Sequence, residues 1–373
     1  MQKHEMFEAI TKGEFDVVEE ALTSGVEDAD GDIHMSESGH YSLTEASSLG
    51  HLELVKLLLE NGADINNSHA VWGSPLLRAV TGNHATVVEY LLSQGADPAT
   101  VSPHFGKFLA GKVGHPFFDA CAQSPQMIDI FLRAGSDVNT KGPNGLTPLM
   151  FAARTGNMEC LQHLVENGAD TSATTEEGVN ATFVAAVNDR FDLVKYLVSV
   201  GGDINSHPVD SNTILMEAVR KRDIHLVREI IDLGADASIV NKEGQTALSF
   251  IDFFEPTSVD LVGLLMKAGA DPNASLGKRP LMTEAINNND AKLVEILINA
   301  GANLEVKTQH GDTPLLIAVV GASEKIVAML LDAGADLHAT DSSNRTPMDL
   351  VAKRTRNKDV VRDMLEKALA ARV

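Results

Sequence analysis

Apolar residues recur along this chain in short bursts at the three- and four-residue spacing of one helix face. Three of the clearest are 51–62 (HLELVKLLLENG), 158–168 (MECLQHLVENG) and 224–234 (IHLVREIIDLG). In each, Leu, Val or Ile lines one side, Glu, Lys, Arg or His falls between, and the burst runs out in a glycine. The pattern predicts an amphipathic helix whose last turn closes on a left-handed residue. A shorter apolar burst precedes each one, marked by an alanine that usually stands sixteen residues before the glycine. The pairs are Ala9–Gly25, Ala46–Gly62, Ala79–Gly95, Ala152–Gly168, Ala185–Gly201, Ala218–Gly234, Ala285–Gly301 and Ala318–Gly334. Ala120–Gly135 is one residue shorter and Ile251–Gly269 two longer.

The shorter helices are predicted to open at Pro75, Pro116, Pro148, Pro314 and Pro347, because proline needs no donor in a first helical turn. Ser74, Thr147, Thr313 and Thr346 precede four of these prolines as candidate caps. Gly145, Gly178, Gly244 and Gly311, with Asn344 substituting, mark turns that require positive φ. Each unit therefore reads as a turn, a short helix, a loop and a longer helix. The closing glycines from Gly62 to Gly334 are separated by 33, 40, 33, 33, 33, 35, 32 and 33 residues. A beat that regular predicts stacked repeats, each touching its neighbours, rather than several globular domains.

The pieces Thr147-Pro148-Leu149, Thr313-Pro314-Leu315 and Gly50-His51, with the recurring Gly-Ala-Asp, resemble the ankyrin repeat family over essentially the whole chain. The resemblance implies an all-α fold: a right-handed ankyrin-repeat solenoid of helix–turn–helix pairs with short β-hairpin-like connections, about eleven repeats long. A single solenoid is expected over 1–373, with a capping repeat at 1–33, an inserted loop at 98–115 and a second cap at 341–373. The position after Pro-Leu, usually histidine in the family, holds Thr44, Leu77, Phe118, Met150, Phe183, Met216, Thr283 and Leu316. Apolar packing is expected to replace that histidine's hydrogen bonds in most units.

Charge narrows the partners. The formal net charge is −22, which argues against nucleic acid and anionic membranes, since both call for stripes of Lys and Arg. Residues 351–373 run the other way, with seven Lys or Arg against three acids. No segment is apolar enough to span a bilayer and the first residues do not read as a signal peptide, so a cytoplasmic protein is expected, with leaderless export as the alternative. Cys121 and Cys160 fit no metal spacing and read as buried thiols.

Two stretches depart from the pattern of their sister repeats. Trp72, the sole tryptophan, stands at a hairpin tip, where it is either folded back on its helices or held out for a partner. Within 98–115, Phe105, Lys107, Phe108, His104, Lys112 and His115 make a basic, aromatic insertion without an acid. Such a loop is either functional or tied down by its own phenylalanines.

Catalytic signatures are missing: no phosphate-binding glycine loop, no Cys-x-x-Cys and no His-x-x-x-His on a helix. No cofactor and no metal are expected, and the chain is not read as an enzyme. The residue before the landmark alanine faces the concave groove in the ankyrin family. Here it is Glu8, Glu45, Arg78, Asp119, Phe151, Val184, Glu217 and Glu284. Helix spacing gives Glu8 a cation in Lys12 and Glu217 one in Lys221, whereas Glu45, Asp119 and Glu284 find none within their own helices.

The leading expectation is a monomeric interaction protein (adaptor, inhibitor or effector) that binds another protein, with a basic segment as one option. Its candidate contacts are Glu45, Trp72, Arg78, Phe105, Lys107, Phe108, Asp119, Glu217 and Glu284. Two alternatives stay open: a small-ligand or enzymatic site at the 98–115 loop, and a structural subunit of a larger assembly.

Overall fold

A computed structural model describes residues 3–24, 32–33, 40–67, 73–99, 114–208, 211–253, 257–276, 279–321, 324–351 and 358–371. Its contacts divide the chain into two compact units, Met1–Asp203 and Ile204–Val373. The first unit is built of helix pairs. They are Lys3–Lys12 with Phe15–Thr23 (α1, α2), Ser42–Leu49 with Leu52–Glu60 (α3, α4), and Pro75–Thr81 with Ala85–Ser93 (α5, α6). Then come Pro116–Gln123 with Pro125–Arg133 (α7, α8), Pro148–Thr155 with Met158–Glu166 (α9, α10), and Ala181–Val187 with Phe191–Ser199 (α11, α12). The first helices of successive pairs, α1 through α11, pack side by side, and the second helices α2 through α10 do the same.

The second unit repeats the arrangement with Ile214–Arg220 and Ile224–Asp232 (α13, α14), a 3-10 turn at Ala247–Phe250, and Ser258–Lys267 (α15). It continues with Leu281–Asn287 and Ala291–Asn299 (α16, α17), Pro314–Gly321 and Glu324–Asp332 (α18, α19), and Pro347–Val351 and Lys358–Ala371 (α20, α21). Two short antiparallel hairpins join elements: Asp32–Ile33 with His40–Tyr41 (β1, β2) and Ser275–Leu276 with Arg279–Pro280 (β3, β4).

Local chemistry explains these boundaries. The five prolines open α5, α7, α9, α18 and α20 as expected. Ser74 Oγ accepts Leu77 N–H at 3.3 Å, Thr147 Oγ1 accepts Met150 N–H at 3.3 Å, and Thr346 Oγ1 accepts Asp349 N–H at 3.3 Å. Thr313 is the exception, its buried hydroxyl making no such bond. Asn180 and Thr213, which no proline flags, cap α11 and α13. All nine closing glycines adopt φ between 82° and 99°, and the turn residues Gly145, Gly178, Gly244, Gly311 and Asn344 are left-handed too.

The residues that replace the family histidine are all buried, from Phe118 at 0% exposure to Phe183 at 8%. Phe118 stacks on His115 with centroids 4.4 Å apart and lies 6.2 Å from Phe151 in the next pair. One landmark fails. Ile251, expected in a short α-helix, follows a 3-10 turn in extended backbone (φ −77°, ψ 129°). The Ser249 hydroxyl accepts Thr246 N–H at 3.2 Å and closes that turn early, so the two extra residues of this unit lengthen the connection to α15.

The loops are stapled by side-chain hydrogen bonds that reach from one repeat to the next. Asn66, Asn139 and Asn205 each use Oδ1 to accept the N–H of the aspartate one repeat ahead, at 2.8–2.9 Å. Asn273 and Glu305 make the equivalent bonds to Asn303 and Asp336. The recurrent aspartate in turn accepts the N–H two residues on, the Asx-turn geometry that suits this residue. Where the reaching residue is Ser172, its hydroxyl bonds its own Asp170 instead, at 2.6 Å. A serine is too short to cross.

These turns give stability a pH dependence. Asp341 is closed off from solvent and held below the usual carboxylate range, first by its hydrogen bond from Arg345 and then by backbone N–H donors. The hydroxyl and backbone donors of Ser172 and Ser238 lower Asp170 and Asp236 in the same direction. A depressed carboxylate stabilises the fold above its unfolded value of about 4, and that contribution is lost as pH falls through the folded value. Asp341→Asn keeps the turn's acceptor but loses the Arg345 ion pair. Its melting temperature is expected below wild type at pH 7, with the gap closing in melts recorded below about pH 3.

Candidate functional site

The residues before the landmark alanines occupy one row of helices in each unit, but their environments differ. Glu8 is exposed and pairs with Lys12 at 2.7 Å, the i,i+4 partner expected from helix spacing. Glu45 on α3 is half-buried and makes no ion pair among the described residues. Arg78 on α5 donates from Nη2 to the Ser48 hydroxyl of the preceding pair at 2.8 Å. Asp119 on α7 is 9% exposed, and Phe151 and Val184 are buried.

Asp119 lies in the field of Arg154 on α9. The Arg154 guanidinium sits 4.5 Å over the Phe151 ring. Burial pulls its pKa below the ordinary arginine value, and the Asp119 carboxylate opposes that pull. An acid expected to lack a cation on its own helix thus receives one from the next. The field between this acid and this base therefore runs from α7 to α9, between neighbouring helix pairs.

In the second unit, Glu217 accepts from Asn212 Nδ2 at 2.7 Å and from Arg220 Nε at 2.9 Å. Arg220, three residues on, answers Glu217 here, beside the Lys221 expected four residues on. Glu284, which like Glu45 and Asp119 has no cation on its own helix, is met by Arg279 from the β3–β4 hairpin. Arg279 Nη1 lies 3.2 Å from both carboxylate oxygens. The Glu284 side chain is 19% exposed and that of Arg279 73%. Around this pair lies a cleft of about 510 Å³, lined by Pro280, Thr283, Asn287 and the hairpin residues Thr308–His310.

Trp72, Phe105, Lys107 and Phe108 lie outside the described residues, as do His104 and Lys112. At the end of that loop His115 is 7% exposed and stacked on Phe118, and desolvation lowers its pKa toward the neutral ring. It packs into the helices. Cys121 and Cys160 are buried free thiols; burial raises both, Cys160 to about 11. Among the described residues no group of three His, Cys, Asp or Glu could hold a metal ion, and no helix is long and apolar enough to cross a membrane.

With repeating helix pairs, left-handed closing glycines and stapled loops in place, the comparisons with known proteins agree. The family model described as "Ankyrin repeats (3 copies)" matches residues 6–101, 117–208, 254–341 and 281–371. The chain belongs to the ankyrin repeat family.

Among its relatives is the ankyrin repeat and KH domain-containing protein mask-1 of Caenorhabditis elegans, 34% identical over 134 residues, which are 34% of this chain and 5% of that protein. Another is the probable E3 ubiquitin-protein ligase XBOS32 of Oryza sativa subsp. japonica, 29% identical over 162 residues, covering 43% of this chain and 30% of the relative. The matches thus span less than a third of either relative's length. Among solved structures, the human ASB11 ankyrin repeat domain aligns with a TM-score of 0.51 at 25% identity, covering 62% of this chain and all of that domain. The ankyrin repeat domain of Bcl-3 aligns at 0.50 and 25%, covering 61% of this chain and 99% of that one. Ankyrin-repeat proteins are generally protein–protein interaction modules, and the fold is generally a non-catalytic scaffold.

Proposed function

We propose that this ankyrin-repeat protein is a non-catalytic binding module that holds a partner protein on its first-helix row and adjoining hairpins. The partner's contact segment is read as basic. The observation that carries this reading is the set of half-buried carboxylates Glu45, Glu217 and Glu284, spread along the first helices of a chain with a net charge of −22. Charge complementarity of that kind steers association and selects a Lys- or Arg-bearing surface. Arg78 belongs to the same row. Asp119 drops out of the contact set, because its enclosed position beside Arg154 suits a packing role.

Reversing Glu45, Glu217 and Glu284 together to lysine is expected to abolish capture of the main partner, identified by mass spectrometry from the native host. A single charge pair at a solvated rim contributes roughly 0.2–1 kcal/mol, so the triple variant is the informative one. Its circular dichroism should match wild type. Undiminished capture by a folded triple variant would reject the reading.

A further inference from the structure

We propose that Glu284 and the apolar pair Ile317 and Val320 form a two-point site for an extended segment bearing a Lys or Arg about three residues from an aliphatic side chain. This rests on the partner-binding reading above and names its ligand.

Three observations carry it. The first is how weakly Glu284 is held. A single nitrogen of Arg279 faces both oxygens at 3.2 Å, although the carboxylate is mostly buried. The Arg279 side chain is largely in solvent, and Glu284 is its one hydrogen-bond and ion-pair partner among the described residues. An ion pair whose cation lies largely in solvent is weakly held, since water screens it and the long side chain keeps its freedom. A guanidinium that engages both oxygens in parallel, within the cleft, is the stronger arrangement. Arg279 is therefore a placeholder that an incoming cation displaces at small cost.

The second observation concerns α18, packed against α16. Ile317 stands one 33-residue beat after Glu284, and Val320 is one helical turn further along the same face. Where α13 carries Glu217 and Arg220, and α16 Glu284 and Asn287, α18 presents two aliphatic residues. Ile317 is half-buried and Val320 is 59% exposed, the highest value among the large apolar residues described. An acidic step thus stands beside an apolar one.

Spacing is the third. Packed helices lie about 8–10 Å apart. A polyproline II segment brings every third residue back to the same face after about 9 Å. The cleft beside Glu284, walled by Pro280 and Thr308–His310, is about 510 Å³.

The test is selection of a random-peptide library, displayed on phage, against the immobilised full chain. Affinities of the enriched peptide are then measured by fluorescence anisotropy. Enrichment of Lys or Arg three positions from Leu, Ile, Val or Met is expected. Glu284→Gln and Val320→Ser should each weaken binding about tenfold, equivalent to about 1.4 kcal/mol. Arg279→Ala should tighten it about threefold by removing the competitor, a gain that a merely structural Arg279 would not produce. Enriched peptides indifferent to Glu284→Gln and Val320→Ser overturn this site while leaving the broader binding reading standing. A helical seven-residue spacing, or loss of affinity in Arg279→Ala, also overturns it. No enriched peptide at all counts against both.

Discussion

Replacing Phe118 with alanine is expected to cost about 3–5 kcal/mol, the range for deleting a fully buried aromatic ring. Phe118 is 0% exposed, stacks on His115 at 4.4 Å and lies 6.2 Å from Phe151. It joins the start of α7 to α9, and Phe117 beside it is 5.4 Å from Phe131 on α8. The cavity could not close without moving helices on both sides, because α7 packs against α5 as well as α9. In a repeat stack, stability is approximately a sum of unit terms and nearest-neighbour terms. The loss should therefore be local. Hydrogen exchange followed by mass spectrometry should show faster exchange in α5, α7 and α9, with α16 to α20 unchanged. Protection lost evenly along the chain, or not at all, would contradict this account of the core.

Gly50→Ala is expected to cost about 2–3 kcal/mol, from a left-handed backbone combined with a lost hydrogen bond. Gly50 has φ +79°, and a Cβ there would sit 2.4 Å from His84 Nδ1. The ring is not free to leave, since its Nε2–H donates to the Ser48 carbonyl at 2.9 Å. Gly13 repeats the arrangement one pair earlier, with the His51 ring 3.1 Å from a built Cβ. Here the imidazole of one loop rests on the glycine of the loop before it. Trimming the ring separates the two contributions. In Gly50→Ala with His84→Ala the steric part vanishes and the backbone part stays, so the double variant should be more stable than the two single costs predict, by about 1 kcal/mol. Strict additivity in urea unfolding would show that the ring does not rest on Gly50.

Much of the architecture was legible because it is local. Proline at a first turn, a hydroxyl cap, a left-handed closing glycine and apolar spacing all act within four or five residues, so the sequence carries them directly. The 33-residue beat then repeats that local grammar. Even the failure at Ile251 arises where the beat stumbles by two residues. The loop staples were legible too, had the asparagines four residues after Gly62, Gly135, Gly201 and Gly269 been set against the beat.

The site was less so. Helix spacing correctly gave Glu8 its Lys12, yet it could not find Arg279 for Glu284 or Arg154 for Asp119, because neither base is on the acid's own helix. Nor could it show that Asp119 is enclosed while Glu45, at the same position of its own unit, is only half so.

By itself, then, the sequence determined the kind of most elements, where the proline-opened helices begin, where the glycine-closed ones end, and the family to which the repeats belong. These depend on contacts short enough for one helical turn to enforce. Only the tertiary structure decided which carboxylates are buried, which cation answers each, and that an acidic step on α16 stands next to an apolar one on α18. Those facts depend on side chains brought together from neighbouring helices and hairpins. Electrostatic and packing energies follow distance in space, whatever the separation along the chain.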